Sequence, residues 1–369
     1  MNIAIIGFGT VGTGVYDAAE RTNGAVKVVR ILDIRTVPGF EKLITPDIEQ
    51  IVGDPSIDLV VETMGGEEPA NTFVMKAIAA GKHVVSANKQ LICAKYAVLM
   101  NAAAQHGVQL RFTASAGGGI PWLYNLRRAK RCDEILEISG IVNGTTNFIL
   151  DAMNTRGEDY ADALKTAQQL GYAEANPAAD VNGYDAQRKC AISASIAFDT
   201  VVEEGMVPTE GIQHFGRAAA HAIQELPETK GRVVKLLMHA GRHGDGVFAY
   251  VAPALVRANS LEANVPSNFN LITFRAKYVG VQSYFGQGAG KDPTGTSVVQ
   301  DILDIASGSL SGAPAQGKPL SKNGEVERDF FIYDGERAIA ARMNVSAVFG
   351  YAEKARAQGK PVFFGEIAD

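Results

Sequence analysis

The sequence has few of the residues that mark secreted or metal-binding proteins. Its 369 residues include three cysteines, Cys93, Cys132 and Cys190, and no two of them form a CxxC pair. An odd number of widely separated cysteines argues against a disulfide framework and indicates reduced thiols. The six histidines show no metal-ligand spacing, which argues against a histidine-based metal site. These absences predict a cytoplasmic protein.

Long apolar runs, a secretion signal and a basic block are also missing. No apolar run approaches the length of a membrane span, and the N-terminus lacks the basic start and long apolar region of a signal peptide. The net charge is −5 without a cluster of basic residues, so neither nucleic acid nor a membrane is an expected partner. With 46% apolar and 20% charged residues, the composition is that of a soluble globular protein whose length fits two domains.

A glycine-rich turn follows the first predicted strand. Residues 2–6 form a short apolar run typical of a buried parallel strand, and residues 7–12 read GFGTVG, a GxGxxG pattern before a predicted helix. Such glycines allow a tight turn, close approach of a pyrophosphate and packing of helix on strand, while the helix N-terminus offers N–H groups to phosphates. The pattern predicts that a dinucleotide contacts Phe8, Gly9, Thr10, Val11 and Gly12.

The end of the second predicted strand bears on which dinucleotide is bound. Residues 26–32 form this strand, and Asp33 follows it at the spacing typical of a carboxylate that binds the ribose hydroxyls. This position favours NAD. Arg35, two residues later, keeps open the alternative that the side chain binds the 2′-phosphate of NADP.

Strand and helix patterns then alternate. Predicted strands at 59–63 and 83–86 are followed by predicted helices at 71–80 and 96–106. This alternation predicts an α/β fold with a doubly wound parallel sheet of the Rossmann type. Because ligands bind at the carboxyl ends of such strands, Thr63, Ser86 and Lys89 are expected at the cofactor.

The pattern changes near residue 121, where a second domain of α+β type is predicted. Residues 134–142 alternate polar and apolar side chains like an antiparallel strand, and helices are predicted from residue 148 and over 160–170, the latter ending at Gly171. The predicted domains are a dinucleotide-binding domain at 1–120, completed by a helix near 296–307, and a catalytic and dimerisation domain at 121–295. A linker and small extension are predicted at 311–369.

Residues 171–189, GYAEANPAADVNGYDAQRK, are the most informative stretch. Asp185 and Lys189 are four residues apart, so on a helix they lie on the same face, and Glu174 and Asp180 lie in the loop leading into that helix. Three carboxylates and one amine form a set suited to binding a small zwitterion and moving a proton. The alternative, from spacing alone, is a solvated loop followed by an exposed ion pair.

Six motifs occur in the order found in homoserine dehydrogenases, and over roughly residues 1–307 the chain resembles that family. They are GFGTVG at 7–12, SANKQLI at 86–92, GGGIP at 117–121, GIVNGTTNFIL at 140–150, the 171–189 stretch and GQGAGKDPTGTS at 286–297. The resemblance implies a homodimer that oxidises L-homoserine reversibly to L-aspartate 4-semialdehyde with NAD(P), a step of threonine and methionine biosynthesis.

Residue roles follow from the same resemblance. It implies that Lys189 is the general acid/base and that Lys89 lies beside it near the reacting oxygen. A lysine at that oxygen stabilises charge and shuttles the proton that accompanies hydride transfer. The resemblance also implies substrate contacts at Glu174, Asp180, Asp185, Gly144 and Thr145, and cofactor contacts at Gly171, Glu174 and Gly290.

Two positions depart from the family pattern. Asn176 stands where an aspartate is usual. Thr113 stands where a glutamate is usual, near a loop that in the family holds sodium mostly through backbone carbonyls. The resemblance implies sodium ligands at Ala116, Gly118 and Ile120, here without that acid.

These departures keep other functions open. A related NAD(P)-dependent dehydrogenase acting on another small hydroxy or amino acid is the main alternative. A noncatalytic nucleotide-binding sensor is the third hypothesis, which the two lysines and the acidic set argue against.

The C-terminal residues resemble no complete domain. Residues 311–324 are rich in Gly, Pro, Ser and Lys and are predicted to be a linker. A strand at 329–333, a largely helical segment at 338–357 and a strand at 361–367 are predicted to follow. Half of an amino-acid-sensing ACT domain, a dimer arm and a lid are the alternatives for this tail.

Overall fold

The computed structural model describes residues 1–309 and 316–368, so part of the predicted linker at 311–324 lies outside the described residues. The strands are β1 (Asn2–Ile6), β2 (Lys27–Leu32), β3 (Ile44–Thr45), β4 (Leu59–Glu62), β5 (His83–Ser86), β6 (Leu110–Arg111), β7 (Ile135–Ile141), β8 (Arg232–His243), β9 (Gly246–Arg257), β10 (Phe269–Ala276), β11 (Gly280–Gln287), β12 (Glu327–Tyr333), β13 (Ala338–Asn344) and β14 (Phe363–Ile367).

The α-helices are α1 (Thr10–Glu20), α2 (Glu49–Val52), α3 (Ala70–Ala79), α4 (Lys89–Gln105), α5 (Trp122–Ala129), α6 (Gly144–Arg156), α7 (Tyr160–Gln169), α8 (Ala178–Val181), α9 (Tyr184–Phe198), α10 (Arg217–Glu225), α11 (Lys291–Ala306) and α12 (Val345–Ala357). Two short 3-10 helices cover Thr113–Ser115 and Glu204–Met206.

The chain divides into two compact units. The first unit comprises Met1–Arg128, Asp199–Val201 and Gln287–Gly317, and the second unit comprises Ala129–Phe198, Val202–Gly286 and Lys318–Asp369. The domain boundaries predicted from the sequence, at 1–120, 121–295 and 311–369, stay predictions beside this division.

A six-stranded sheet in the order β3-β2-β1-β4-β5-β6 forms the centre of the first unit. Each neighbouring pair is parallel. All four residues of β4 are buried, as expected for a parallel strand covered on both faces. The order reverses between β1 and β4, which is where ligands bind in sheets of this kind. The predicted doubly wound parallel sheet is confirmed.

Helix α11 packs tightly on α1 within the first unit. A Cβ on Gly14 would overlap the carbonyl oxygen of Lys291, and a Cβ on Gly295 would overlap the backbone of Gly14. The two helices therefore approach without side chains between them at this point. Val298 and Ile302 of α11 lie in the same apolar core as Ile3 of β1, so a helix distant in sequence completes this unit.

The second unit is built on an eight-stranded mixed sheet in the order β11-β10-β7-β8-β9-β14-β12-β13. Strand β7 pairs antiparallel with both β8 and β10, which confirms its predicted antiparallel character. Strand β14 pairs parallel with β9 through Glu366 and Ala254, and antiparallel with β12. The C-terminal strands therefore extend the sheet of this unit.

Three helices and one strand differ from the sequence-based prediction. Helices α4, α6 and α11 begin at Lys89, Gly144 and Lys291, several residues before their predicted starts. In α4 the predicted start at residue 96 marks a kink, because Lys95 has non-helical dihedral angles (φ −122°, ψ 16°). The predicted helix over 338–357 is wrong for residues 338–344, which form β13 because they pair antiparallel with β12.

Candidate active site

The glycine turn of the first unit has the geometry of a dinucleotide site. Gly7 follows β1 with a φ of +89°, a conformation that favours glycine. Apart from Gly9 itself and its chain neighbours, no described atom lies within 4 Å of the position that a Cβ on Gly9 would take, whereas a Cβ on Gly12 would overlap the carbonyl oxygen of Gly7. No described side chain caps the N-terminus of α1 and its first turn carries no acid. The open N–H groups and space beside Gly9 fit a pyrophosphate.

Thr63, predicted at the cofactor, supports this turn. Its hydroxyl donates to the carbonyl oxygen of Gly7 at 2.6 Å, while a Cβ on Gly7 would lie 2.9 Å from the Cγ of Met64. The end of β4 therefore fixes the conformation of the residue that opens the turn.

Asp33 and Arg35 form a tight pair after β2. The Arg35 guanidinium donates to both carboxylate oxygens at 2.9 and 2.8 Å, and the Phe8 N–H donates to Asp33 at 2.9 Å. The hydrogen bonds from Arg35 hold the pKa of Asp33 well below its usual range. The Asp33 side chain is 6% exposed, whereas that of Arg35 is 61% exposed. The cation of the pair, rather than its acid, thus faces solvent.

A buried carboxylate that the sequence analysis missed organises the ends of β4 and β5. Glu62 is fully buried and accepts hydrogen bonds from the Ser86 hydroxyl at 2.6 Å, the Asn88 amide at 3.3 Å and the Met64 N–H at 2.8 Å. Burial raises the pKa of Glu62. Asn88 in turn caps α4, since its Oδ1 accepts from the Leu91 N–H at 3.1 Å. Lys89, half-buried, is thereby held in the first turn of that helix.

In the second unit, Asp185 and Lys189 form a buried ion pair on α9. The Lys189 ammonium donates to Asp185 Oδ2 at 2.7 Å and to the carbonyl oxygen of Val142 at 2.7 Å. The two residues are 5% and 8% exposed. The alternative of a surface ion pair is therefore wrong for these two side chains.

Asn143 joins a second carboxylate, that of Asp180, to the pair. Its Nδ2 donates to Asp180 at 2.7 Å and to Asp185 at 2.9 Å, while its Oδ1 accepts from the Thr146 N–H and caps α6. Asn143 was not among the predicted site residues. Its position directly before a Gly-Thr-Thr helix start, where a cap is expected, is the signal that marks it in the sequence.

Gly144 and Thr145 lie at the start of α6, beside this network. The Thr145 hydroxyl contacts Asp180 at 3.2 Å and also donates to the carbonyl oxygen of Tyr172. A Cβ on Gly144 would lie 2.6 Å from the carbonyl oxygen of Asn268, so this position has no room for a larger side chain.

Asp180 lies on the short helix α8 rather than in a loop as predicted, because Pro177 and Asn176 initiate a helical turn there. Burial and the neighbouring Asp185 carboxylate raise the pKa of Asp180, against the hydrogen bond from Asn143. The network thus holds two acids close together at an electrostatic cost that Asn143 and Lys189 reduce.

The rest of the acidic loop is more exposed. Gly171 has a φ of +75° after α7, which confirms the predicted C′ glycine. Glu174 is exposed, and no hydrogen bond joins it to Asp180, Asp185 or Lys189 within the described part of the chain. Asn176 Oδ1 accepts from the Ala178 N–H at 3.2 Å. An aspartate makes the same bond, so the Asn176 departure keeps the local structure.

The loop predicted to hold sodium lies in the first unit. Gly118 has a φ of +57° and the carbonyl oxygen of Ile120 accepts from the Trp122 N–H at 2.7 Å, while Ala116 follows the 3-10 helix. Thr113 donates its hydroxyl and its N–H to Asp301, both at 2.8 Å. These contacts engage the acid near the loop, whereas the carbonyl oxygen of Ile120 keeps a second lone pair. Sodium binding here stays a prediction.

Gly290, predicted at the cofactor, precedes α11 in the first unit. It has a φ of +124°, and no side chain of the described residues caps this helix. Its contact with a cofactor stays a prediction.

Two further properties concern ligands and membranes. In residues 1–309 and 316–368, no group of three or more His, Cys, Asp or Glu side chains is arranged to hold a metal ion. Over the same residues, no helix combines the length and the apolar character needed to cross a bilayer.

Comparison with known proteins identifies the family. A family model described as homoserine dehydrogenase matches residues 121–303, and another described as the NAD binding domain of homoserine dehydrogenase matches residues 7–113. The homoserine dehydrogenase of Corynebacterium glutamicum is 38% identical over 373 residues, covering 95% of this chain and 83% of that protein. The chain belongs to the homoserine dehydrogenase family.

Other members of the homoserine dehydrogenase family are similar in sequence or structure. The protein of Synechocystis is 37% identical over 83% of this chain and 73% of its own length. The crystal structure of the Thiobacillus denitrificans homoserine dehydrogenase has a TM-score of 0.88 and 30% identity, covering 100% of this chain and 98% of that one. The Staphylococcus aureus structure has a TM-score of 0.77 and 28% identity.

The predicted function is confirmed at the level of the family. The protein is a homoserine dehydrogenase, an oxidoreductase that acts on a CH–OH group and uses a nicotinamide cofactor, and it interconverts L-homoserine and L-aspartate 4-semialdehyde in amino-acid biosynthesis. The predicted α/β fold with a Rossmann-type sheet is confirmed as well.

The raised pKa of Asp180 leads to a stability prediction. A folded-state pKa above the unfolded value means that the ionised group destabilises the fold near neutral pH, and that this effect is lost as pH falls through the folded pKa. We expect Asp180→Asn to melt at the same temperature as the wild type at pH 7, or up to about 2–4 °C higher. The difference should shrink toward pH 4.

Differential scanning calorimetry of both proteins at several pH values measures this. Glu228→Gln, an exposed position in a turn, is the control and should show no pH-dependent difference. A marked loss of stability for Asp180→Asn at pH 7 would show that the carboxylate is a net stabilising group.

Proposed function

We propose that Lys189 exchanges a proton with the hydroxyl oxygen of homoserine, and that Lys89 is a second cation near that oxygen. The buried network around Lys189 supports this role. Among the described residues its ammonium has two acceptors, Asp185 and the carbonyl oxygen of Val142. An ammonium carries three N–H groups, so one is left for the substrate oxygen.

The contacts of Lys189 suit proton transfer in both directions. A bound nicotinamide supplies the acceptor or donor of the hydride. During oxidation the neutral amine takes the hydroxyl proton, and the Asp185 carboxylate at 2.7 Å stabilises the ammonium that forms. During reduction the ammonium returns its proton to the oxygen. Burial of both side chains excludes water and strengthens these charge interactions.

The acidic side chains of the site suit the ammonium group of the substrate. We propose that Asp180 accepts its hydrogen bonds, with Glu174 as a more exposed second acid. Asp180 is half-buried and oriented by Asn143 and Thr145. Gly144 and Thr145 present the N-terminus of α6 on the same side of the network.

Replacement of Lys189 tests the proposal. We expect the wild type to reduce NAD or NADP in the presence of homoserine, and Lys189→Met to lose about 10²–10⁴-fold in kcat, because proton transfer loses its donor and acceptor. Absorbance of the reduced nicotinamide measures turnover, and fluorescence titration should show unchanged cofactor binding.

Two other lysine variants test whether the loss of activity is specific to Lys189. Lys165→Met, on the exposed face of α7, should keep full activity, and Lys89→Met should lose less than Lys189→Met. Full activity of Lys189→Met would remove Lys189 from the proposed role, and a wild type without turnover on homoserine would defeat the function itself.

We further propose that the enzyme uses NADP as well as NAD. The sequence favours NAD through Asp33, but both oxygens of that carboxylate accept hydrogen bonds from Arg35. The pair leaves a largely exposed guanidinium two residues after the strand, and guanidinium groups suit phosphate binding. The positive charge of Arg35 also offsets the repulsion that the Asp33 carboxylate would exert on a 2′-phosphate.

Cofactor kinetics test this role of Arg35. We expect Arg35→Ala to raise the KM for NADP roughly 10- to 100-fold, the effect of losing one hydrogen bond to a charged group, and to change the KM for NAD much less. Lys27→Ala, at the opposite end of β2, is the control. Equal changes for both cofactors would contradict the proposal.

A homodimer is proposed through the sheet of the second unit. Strand β11 is a sheet edge, and Val279, Val281 and Phe285 on and beside it are 54%, 59% and 55% exposed. An uncovered apolar edge strand invites pairing with another chain.

Light scattering coupled to size exclusion tests the dimer. We expect twice the chain mass for the wild type and a shift toward the monomer for Val281→Lys, because a charge would be placed in the contact. Lys277→Met, at the exposed end of the hairpin, is the control. A monomeric wild type at micromolar concentration would contradict the proposal.

A cytoplasmic location also stays a proposal. None of Cys93, Cys132 and Cys190 forms a disulfide within the described residues, as expected in a reducing compartment. Enzyme found only in a membrane or secreted fraction of the source cells would contradict it.

A further inference from the structure

Asn270 on β10 is a buried amide without partners. It is 0% exposed, and within the part of the chain that the structure describes neither its Oδ1 nor its Nδ2 has a hydrogen-bond partner. Three other buried asparagines of the second unit, Asn143, Asn147 and Asn323, use both side-chain atoms. Leaving a buried amide unpaired is unfavourable, so Asn270 is kept at a cost to folding.

The register of the sheet puts Asn270 beside the Lys189 network. Strands β10 and β7 are antiparallel, with Leu271 opposite Ile141 and Ile272 opposite Gly140. One step further along this register, Asn270 lies opposite Val142, whose carbonyl oxygen accepts from Lys189 at 2.7 Å. Residues directly opposite in such a pair have Cα atoms about 4.5–5.5 Å apart.

A close approach between Gly144 and Asn268 confirms that residues 142–144 and 268–270 run side by side. The position of a Cβ on Gly144 lies 2.6 Å from the carbonyl oxygen of Asn268, two residues before Asn270. The segment 268–270 therefore borders residues 142–144, which end β7 and begin α6. An unpaired amide at this place borders the residues proposed to bind the substrate.

The chemistry around Asn270 indicates which substrate group it binds. The described side chains of the network are dominated by carboxylates, Asp180 and Asp185, which suit an ammonium and repel an anion. The carboxylate of homoserine needs donors instead. The N-terminus of α6, capped by Asn143 and lacking an acid in its first turn, supplies backbone N–H groups, and the Asn270 Nδ2 supplies a side-chain donor.

We propose that Asn270 is a substrate-binding residue that donates a hydrogen bond to the α-carboxylate of homoserine. The assignment rests on the proposed function of this site, and it makes Asn270 a determinant of the preference for amino acids over amino alcohols. Substrate binding then gives an acceptor to the Asn270 Nδ2, which the described residues leave without one.

Asn270→Leu tests the assignment, because leucine has the same number of side-chain heavy atoms, branched at the same carbon, and no polar atoms. The KM for homoserine should rise roughly 10- to 100-fold, while kcat and the KM for the cofactor change far less. The melting temperature should stay equal or rise, because two unpaired polar atoms are removed. Asn147→Leu is the contrasting variant: its amide is fully bonded, so it should lose stability.

Two homoserine analogues identify the group that is bound. 2-Aminobutyrate keeps the carboxylate and lacks the hydroxyl, so its inhibition constant should rise by the same factor as the KM in Asn270→Leu. 3-Aminopropan-1-ol lacks the carboxylate, so its kcat/KM should be the same in the variant and the wild type.

The outcomes separate this assignment from the proposed function. A wild type that does not oxidise homoserine contradicts the proposed function. In that case, calorimetric titration of the wild type and of Asn270→Leu with 2-aminobutyrate still tests whether Asn270 binds the carboxylate. If homoserine is oxidised, an unchanged KM in Asn270→Leu, or a lower melting temperature with unchanged inhibition by 2-aminobutyrate, overturns the assignment and makes the amide structural.

Discussion

The candidate site of the second unit depends on one amide, the side chain of Asn143. Buried charges are tolerated only when they are paired and hydrogen-bonded, and here two carboxylates and one ammonium are gathered together. The Asn143 Nδ2 donates to Asp180 and to Asp185, and the same side chain fixes the start of α6 through the Thr146 N–H. Lys189 offsets one of the two carboxylate charges through its ion pair with Asp185. The position of the charges is thus tied to the position of a helix end.

The same device occurs in the first unit. Asn88 caps α4 and also donates to the buried Glu62, so the helix turn that carries Lys89 is fixed to the end of β4. In both units an asparagine at a helix start links backbone N–H groups to a buried acid. Because an amide carries a donor and an acceptor, it can cap the helix and satisfy a carboxylate at once, which an ionised aspartate cannot do. The result is two rigid helix starts.

Sequence reasoning found the parts of the site whose signal is local. The glycine turn at 7–12 and the spacing of Asp185 and Lys189 are patterns within a few residues. Glu62, Asn143 and Asn270 were missed because their significance depends on partners distant in the chain: Ser86 for Glu62, Asp185 for Asn143, and Val142 across the sheet for Asn270. Residues 338–344 were read as helix for the same reason, since pairing with β12 makes them a strand.

The C-terminal strands illustrate how such distant pairing builds the second unit. Strand β14 lies between β9 and β12, and its Glu366 accepts the hydroxyl of Tyr250 at 2.7 Å and lies 3.5 Å from the Arg328 guanidinium. Phe364 of the same strand packs with Val348 of α12 in a core that includes Tyr250. A chain ending before residue 327 would leave the edge of β9 unpaired and this apolar face uncovered. The tail is therefore a structural part of the eight-stranded sheet of the second unit.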